Sequence, residues 1–138
     1  MPQQNSRLEN LKKKVDAGAN FVVTQLFFDN ADFYRFRDRA RAMGINVPII
    51  AGIMPITNLS QIKRFVSMCG AKIPHRLLTK LEAVENDADA VYRTGIEYAC
   101  MQCKDLLFND VQGLHFYTLN KSNATVDICK TLNAPHAF

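Results

Sequence analysis

The chain has 138 residues, of which 48% are hydrophobic and 22% charged, as expected for a globular protein with one ordinary domain. Its net charge of +4 is spread over helix faces and no nucleic-acid-binding motif is present, so we expect no nucleic-acid partner. No apolar run approaches about 18 residues and the segment 2–11 is polar, which predicts neither a membrane span nor a signal peptide. The four cysteines are typical of reduced, buried thiols in a cytoplasmic protein.

Apolar periodicity and turn residues divide the chain into alternating helices and strands. Helices are indicated by apolar residues three or four positions apart, and strands by short runs of β-branched and aromatic residues. In chain order, we predict a helix over 6–17, a strand over 21–28, and a helix that Asp29 or Asn30 caps and Gly44 ends. A strand over 49–54 follows, then a helix between Thr57 or Asn58 and Gly70, and a helix that begins at Pro74. The chain continues with a long helix near 87–107, a strand over 114–119 and a helix that Ser122 caps.

The alternation of strands and helices predicts an α/β fold with a parallel sheet. The strands are short and apolar nearly throughout, which is typical of strands covered on both faces. Three strands do not close a barrel, and a (β/α)₈ barrel typically has about 250 residues. A helix before the first strand also suggests that another strand precedes it. We therefore expect the chain to be the end of a larger repeated architecture.

Polar residues cluster at the predicted carboxyl ends of the strands, where parallel α/β folds bind ligands. The first strand carries Thr24 and Gln25, the second ends in the segment 52–58, and the third ends in the segment 115–121. The Gln25 amide presents one acceptor and two donors, which suits a flat heterocycle with an amide-like edge. A buried amide satisfied inside a barrel is an equally good interpretation from spacing alone.

Two other patterns indicate packing rather than chemistry. Cys100 and Cys103 have the spacing of a redox or metal motif, but they lie inside a predicted helix with no second pair nearby, so helical packing is favoured. The three histidines have no ligand-type spacing, and we predict no metal site. Asp29 is expected to cap a helix.

Three segments are recognisable as a set: LKKKVDAGANFVVTQLFFD, PIIAGIMPITNLSQIKRF and HFYTLNK. In order and spacing they resemble successive segments of methylenetetrahydrofolate reductases, over roughly residues 8–135. The resemblance implies a (β/α)₈ barrel that binds FAD, of which residues 1–138 form the last three strands and their helices. It also implies a flavoenzyme of one-carbon metabolism that uses NADH or NADPH to reduce 5,10-methylenetetrahydrofolate to 5-methyltetrahydrofolate.

The resemblance implies five substrate-binding residues. Gln25 matches the glutamine that hydrogen-bonds the folate pterin, and Gln61 matches a glutamine that contacts substrate. Phe65 matches an aromatic residue that packs on either substrate, although it also completes the apolar stripe of its own helix. Tyr117 matches a tyrosine on the last strand, near the pocket. Lys121 stands where bacterial relatives usually carry an arginine that holds the folate glutamate, and lysine keeps the charge without the bidentate fork.

For the cofactor, the resemblance implies that Asn10, Lys13 and Lys14 contact FAD. A cation at Lys14 suits the pyrophosphate because it requires no fine geometry. The alternative is that these lysines form a solvated helix face. Arg7 stands where the family has an acidic residue, so this chain departs from the family pattern at one of the flavin contacts.

The family's general acid and a second acidic residue near the flavin lie in segments that this chain does not match, so we assign no catalytic residue. We predict that the polypeptide by itself is inactive and needs a complementing N-terminal chain. The alternative is a non-catalytic barrel remnant that associates with itself or with another chain. Open sheet edges at 21–28 and 114–119 would favour such association.

Overall fold

The computed structural model describes residues 2–69 and 72–117, and these residues form helices around a small sheet. The elements are α1 (Pro2–Asp16), β1 (Val22–Leu26), α2 (Asn30–Ala42), β2 (Ile49–Ile53), α3 (Leu59–Cys69), α4 (His75–Ala83), α5 (Ala88–Phe108) and β3 (Leu114–Phe116). The three strands are parallel and lie in the order β1-β2-β3. The predicted α/β class and parallel sheet are confirmed. The predicted helix capped by Ser122 lies outside the described residues.

Side-chain caps settle two alternatives that the sequence leaves open. Asp29 accepts a hydrogen bond from the backbone N–H of Ala31 at 2.9 Å, so Asp29 is the N-cap of α2. Asn58 accepts one from the backbone N–H of Gln61 at 2.9 Å, so Asn58 caps α3. Each cap satisfies a backbone donor that the first turn of a helix leaves without an intrahelical partner.

The prediction that the strands are covered on both faces is wrong for β1. This strand alternates between buried and exposed residues, and Val23 is 37% exposed. Phe21, just before it, is 56% exposed. Only one face of β1 packs against the core of the described residues, which leaves the side chains of the other face exposed.

Helix α5 packs closely against the rest of the molecule at two places. Cys100 and Cys103 belong to the core cluster that includes the apolar residues of β1 and β2, so their predicted packing role is confirmed. Nearer the start of the helix, Gly95 lies against the backbone of Ile56 in the β2–α3 loop. A Cβ atom at Gly95 would lie 1.7 Å from the Ile56 carbonyl oxygen, so this crossing requires glycine. Among the described residues, no helix is long and apolar enough to cross a membrane.

The same helix forms hydrogen bonds with the junction between β1 and α2. The buried Gln102 donates from Nε2 to the carbonyl oxygen of Phe27 at 3.2 Å, and the Tyr98 hydroxyl donates to the carbonyl oxygen of Phe28. Asn30 donates from Nδ2 to the carbonyl oxygen of Gln102 at 3.1 Å. The two carbonyl groups that follow β1 therefore have partners on α5, which fixes the path of the chain there.

Asp105, further along α5, joins this contact through its carboxylate. It accepts hydrogen bonds from the Tyr34 hydroxyl at 2.6 Å and from Asn30 Nδ2 at 2.8 Å. These two donors hold the pKa of Asp105 below its ordinary value. Burial and the bond to Asp105 raise the pKa of Tyr34 to about 12. The network is therefore intact only while Tyr34 is neutral.

We expect the stabilisation from Tyr34 to be lost at alkaline pH. Its pKa of about 12 in the folded chain lies above the ordinary value of 10.0, so its contribution is complete below pH 10 and is lost as the pH rises towards 12. Tyr34→Phe should lower the urea midpoint at neutral pH, and the gap from the unmodified chain should narrow above about pH 10. A gap that is constant over this range would show that Tyr34 does not titrate in this way.

Candidate functional site

The carboxyl end of β1 is irregular where the predicted Gln25 lies. Val23 pairs with Ile50 and Leu26 pairs with Gly52, so β1 contains one more residue than β2 between the two matched pairs. The hydroxyl of Thr24 accepts a hydrogen bond from the backbone N–H of Gly52 at 2.9 Å, where a regular ladder would use a backbone carbonyl. β1 therefore bulges at Thr24 and Gln25, and the bulge is closed by a side chain.

Tyr117 reaches this bulge from the opposite edge of the sheet, where β3 lies. It directly follows β3, is half-buried, and donates its hydroxyl hydrogen to the carbonyl oxygen of Thr24 at 2.9 Å. The exposed His115 packs edge-on against its ring, with ring centroids 4.7 Å apart. Since β2 lies between β1 and β3, the Tyr117 side chain crosses over β2.

The crossing is possible because β2 has a glycine at that point. A Cβ atom at Gly52 would lie 2.6 Å from the Thr24 carbonyl oxygen and 2.6 Å from Cε2 of Tyr117. We call Thr24, Gln25, Gly52 and Tyr117 the strand-end cluster. Its members come from β1, β2 and the end of β3, so the fold joins positions that are far apart in the sequence.

The chemical capacity of the cluster lies in Gln25, whose side chain is exposed. The described residues therefore do not bury Gln25, and whether a complete barrel would bury and satisfy its amide stays a prediction. An exposed amide at the carboxyl end of a parallel strand can offer one acceptor and two donors to a ligand. The Tyr117 hydroxyl, in contrast, already donates to Thr24, so its ring is the part available for packing against a ligand.

The other predicted substrate residues are only partly described. Gln61 is exposed in the first turn of α3, which directly follows the β2–α3 loop and so starts on the same side of the sheet as the cluster. Phe65 lies in α3, but its side chain is outside what the structure describes. Lys121 is outside the described residues. The structure thus brings together Gln25 and Tyr117, with Gln61 on the same side of the sheet.

The predicted cofactor residues lie elsewhere. Asn10, Lys13 and Lys14 are exposed on α1, and the two lysines are in its last turn. Their neighbour Lys12 pairs with Asp16 at 3.1 Å. The Nζ atom of Lys12 lies 3.6 Å from where a Cβ of Gly44 would be, and this puts the end of α1 beside the end of α2. Both helix ends lead into the amino ends of strands, away from Gln25.

Sequence reasoning missed the structural roles of Thr24 and Gly52. One signal was present, because a single glycine inside an apolar strand often marks a bulge or a close approach of another group. The residues of α5 that bond the β1–α2 junction were missed as well. Gln102 is a polar residue on the buried side of a helix, and such a residue must find hydrogen-bond partners.

Comparison with known proteins identifies the family. The family model for methylenetetrahydrofolate reductase matches residues 2–133. The chain belongs to the methylenetetrahydrofolate reductase family. Family members are oxidoreductases that act on a folate, and the predicted resemblance is confirmed over almost the whole chain.

Individual relatives show how much of a family member this chain represents. It is 44% identical to the 5,10-methylenetetrahydrofolate reductase of Salmonella typhimurium over 125 residues, which is 91% of this chain and 42% of the relative. It is 43% identical to methylenetetrahydrofolate reductase (NADH) 1 of Arabidopsis thaliana over 127 residues, 92% of this chain and 22% of that protein. For the probable methylenetetrahydrofolate reductase (NADPH) of Caenorhabditis elegans the identity is 42% over 132 residues, 95% of this chain and 20% of the relative. The chain spans less than half the length of these proteins.

Proposed function

We propose that this chain supplies part of the folate site of an enzyme that reduces 5,10-methylenetetrahydrofolate to 5-methyltetrahydrofolate. The observation that carries the proposal is the exposed Gln25 at the carboxyl end of β1, in a chain of the reductase family. The pterin ring of a folate has a flat edge with donors and acceptors, and the Gln25 amide can pair with that edge. Gln61 and Tyr117, on the same side of the sheet, are proposed to contact the substrate, together with Phe65 and Lys121.

We propose FAD as the cofactor and NADH or NADPH as the electron donor. When bound, FAD supplies the hydride that reduces the folate. The exposed cations Lys13 and Lys14 are chemically suited to its diphosphate, with Asn10 as a nearby polar contact. The two lysines therefore fit the FAD diphosphate chemically. They also interact favourably with the negative C-terminal end of the α1 dipole, so their position has a structural explanation as well. The relatives' names support either nicotinamide donor.

We also propose that the 138-residue polypeptide has no activity by itself. The chain matches less than half of the bacterial relatives, and the described sheet has β1 and β3 at its edges. The exposed Phe21 and Val23 lie at the β1 edge, where a further strand could pair. We propose that a complementing N-terminal part of the barrel covers this edge. A cytoplasmic location and self-association stay predictions.

The proposed function is tested by complementation. The purified chain is studied by itself and mixed with the segment of the Salmonella typhimurium relative that precedes the matched region. FAD binding is followed by flavin fluorescence quenching, and activity by NADH-menadione turnover and by reduction of 5,10-methylenetetrahydrofolate. We expect FAD binding, menadione turnover and folate reduction in the mixture, and none of the three in the chain by itself. A folded chain whose mixture binds no FAD would instead support a non-catalytic remnant.

Within the complemented enzyme, we expect Gln25→Ala to slow folate reduction more than menadione reduction. Loss of a hydrogen bond to substrate costs on the order of 1–2 kcal/mol, which corresponds to a decrease of about tenfold in the folate reaction. Menadione turnover should change by less than about twofold, since it needs no pterin contact. The control is Glu97→Ala, an exposed residue of α5 away from the strand-end cluster. If Gln25→Ala slowed folate reduction and menadione reduction equally, Gln25 would not be a folate contact.

A further inference from the structure

Helix α5 carries a stripe of exposed side chains on the face that points away from the core. At 3.6 residues per turn, the positions of this stripe fall within an arc of about 80° and extend for about 22 Å along the helix. Two of its members are large and apolar, since Met101 is 59% exposed and Phe108 is 87% exposed. The whole set, which we call the α5 stripe, consists of Arg93, Glu97, Met101, Lys104 and Phe108.

The place of α5 in the fold separates this stripe from the other surfaces discussed above. Helix α5 connects β2 to β3, and β2 is the middle strand of the described sheet. The N-terminal part of the barrel is proposed to cover the β1 edge, which is a different surface. Gln25 is exposed on the face of β1 opposite to the one that packs with α5. The stripe is therefore distinct from the candidate folate site.

The charges of the stripe are complementary to those of a second copy. Arg93, Glu97 and Lys104 form no ion pair within the part of the chain that the structure describes. When two copies of a helix pack antiparallel about a two-fold axis, positions equally far from the axis face one another. An axis between residues 100 and 101 places Glu97 of each copy opposite Lys104 of the other, so two ion pairs can form.

The same axis suits the apolar members of the stripe. It brings the Met101 side chains of the two copies together, and it places Phe108 opposite Arg93 of the second copy, where a guanidinium can lie over the aromatic ring. A concave region of about 390 Å³ at this point of the helix can take the methionine of the second copy. It is lined by Ile96, Glu97, Cys100, Met101 and Lys104. Parallel packing would instead bring like charges together, which disfavours it.

We propose that the α5 stripe is the contact surface for a second copy of this chain, packed antiparallel about a two-fold axis near residues 100 and 101. One helix from each copy covers less area than a stable interface, so we expect a weak dimer with a Kd on the order of 0.1 mM. At low micromolar concentration the chain is then monomeric, and a variant such as Glu97→Ala leaves its unfolding and turnover unchanged.

Charge reversal tests the pairing directly. Sedimentation equilibrium of the full chain between about 10 µM and about 0.5 mM should fit a monomer–dimer equilibrium. Glu97→Lys and Lys104→Glu should each weaken self-association by at least about tenfold, because each replaces two attractions by two repulsions. An equimolar mixture of the two variants should associate again, because each reversed charge then faces its opposite on the other copy.

Three outcomes would overturn the proposal. One is a chain that stays monomeric at about 0.5 mM. Another is a dimer that neither reversal weakens, because association would then use a different surface, such as the edge of β1. The third is a mixture that associates no better than its two components. Both substitutions are at exposed positions, and circular dichroism verifies that each variant is folded.

Methyl NMR of the methionines identifies what covers the stripe. The Met101 methyl resonance should shift as the chain concentration rises, whereas Met68, which is 78% exposed on α3, is the matched control and should not shift. If Met101 instead shifts when the N-terminal segment is added to dilute chain, that segment covers the stripe and the dimer proposal fails. Neither experiment uses folate turnover, so the proposed function can fail while this interface stands.

Discussion

Gly95→Ala is expected to lower the free energy of unfolding by about 3 kcal/mol, at the upper end of the range for overpacked sites. In an exposed helix the same change would stabilise by about 0.5–1 kcal/mol, because alanine has the higher helix propensity. The sign reverses here because the new Cβ would lie 1.7 Å from the Ile56 carbonyl oxygen and 2.7 Å from its carbon. Both atoms belong to the backbone, so α5 or the β2–α3 loop must move. Urea denaturation followed by circular dichroism measures the effect.

Glu97→Ala is the matched control for this experiment. Glu97 is exposed on the same helix, two positions further on, and its replacement changes helix propensity little. The control should leave the unfolding free energy within about 0.5 kcal/mol of the unmodified chain. A Gly95→Ala chain as stable as this control would show that α5 does not approach Ile56 as closely as described.

Gly52→Ala is expected to cost about 2 kcal/mol and to disrupt the strand-end cluster as well. Its Cβ would lie 2.6 Å from both the Thr24 carbonyl oxygen and Cε2 of Tyr117. The tyrosine ring can swing away, but the Thr24 carbonyl is backbone and can only shift with β1, so relief is incomplete. We expect the Tyr117 side chain to leave Thr24, which would change the near-ultraviolet circular dichroism of the tyrosines.

Gly113→Ala provides the comparison for Gly52→Ala. The three atoms nearest to a Cβ at Gly113 all belong to the side chain of Ile50, the closest 3.3 Å away, and that side chain can adjust. Its effect on stability should be below about 1 kcal/mol. If Gly52→Ala and Gly113→Ala lowered the free energy of unfolding equally, the crossing of Tyr117 over β2 would not account for the effect at Gly52.

The fold follows from local patterns wherever one residue type has one structural consequence. Caps such as Asp29 and turn residues such as Gly44 bound the helices within a few residues of the predicted positions. The alternation of strands and helices predicts the parallel sheet. Neither signal depends on which distant residues meet, and this is why a single sequence suffices for them.

The candidate site is less accessible to such reasoning. Gln25 and Tyr117 were singled out by resemblance, but the bulge beside Gln25 is closed by a contact between Thr24 and Gly52, 28 positions apart. An apolar run of this kind predicts a strand covered on both faces, and the structure leaves one face of β1 exposed. Burial depends on which neighbours are present, and the sequence of a strand does not contain that information.

The hydrogen bonds from α5 to the end of β1 also have a consequence for the order in which the chain folds. Tyr98 and Gln102 bond carbonyl groups that lie 70 and 75 positions earlier in the chain. On a ribosome that adds about 5–20 residues per second, these carbonyl groups wait roughly 4–15 s before their partners have been made. Until then the residues after β1 can satisfy their carbonyl groups only with water or with a transient partner. The end of β1 therefore cannot acquire its final form before α5 has been made, and until then it stays open to a protease or a chaperone.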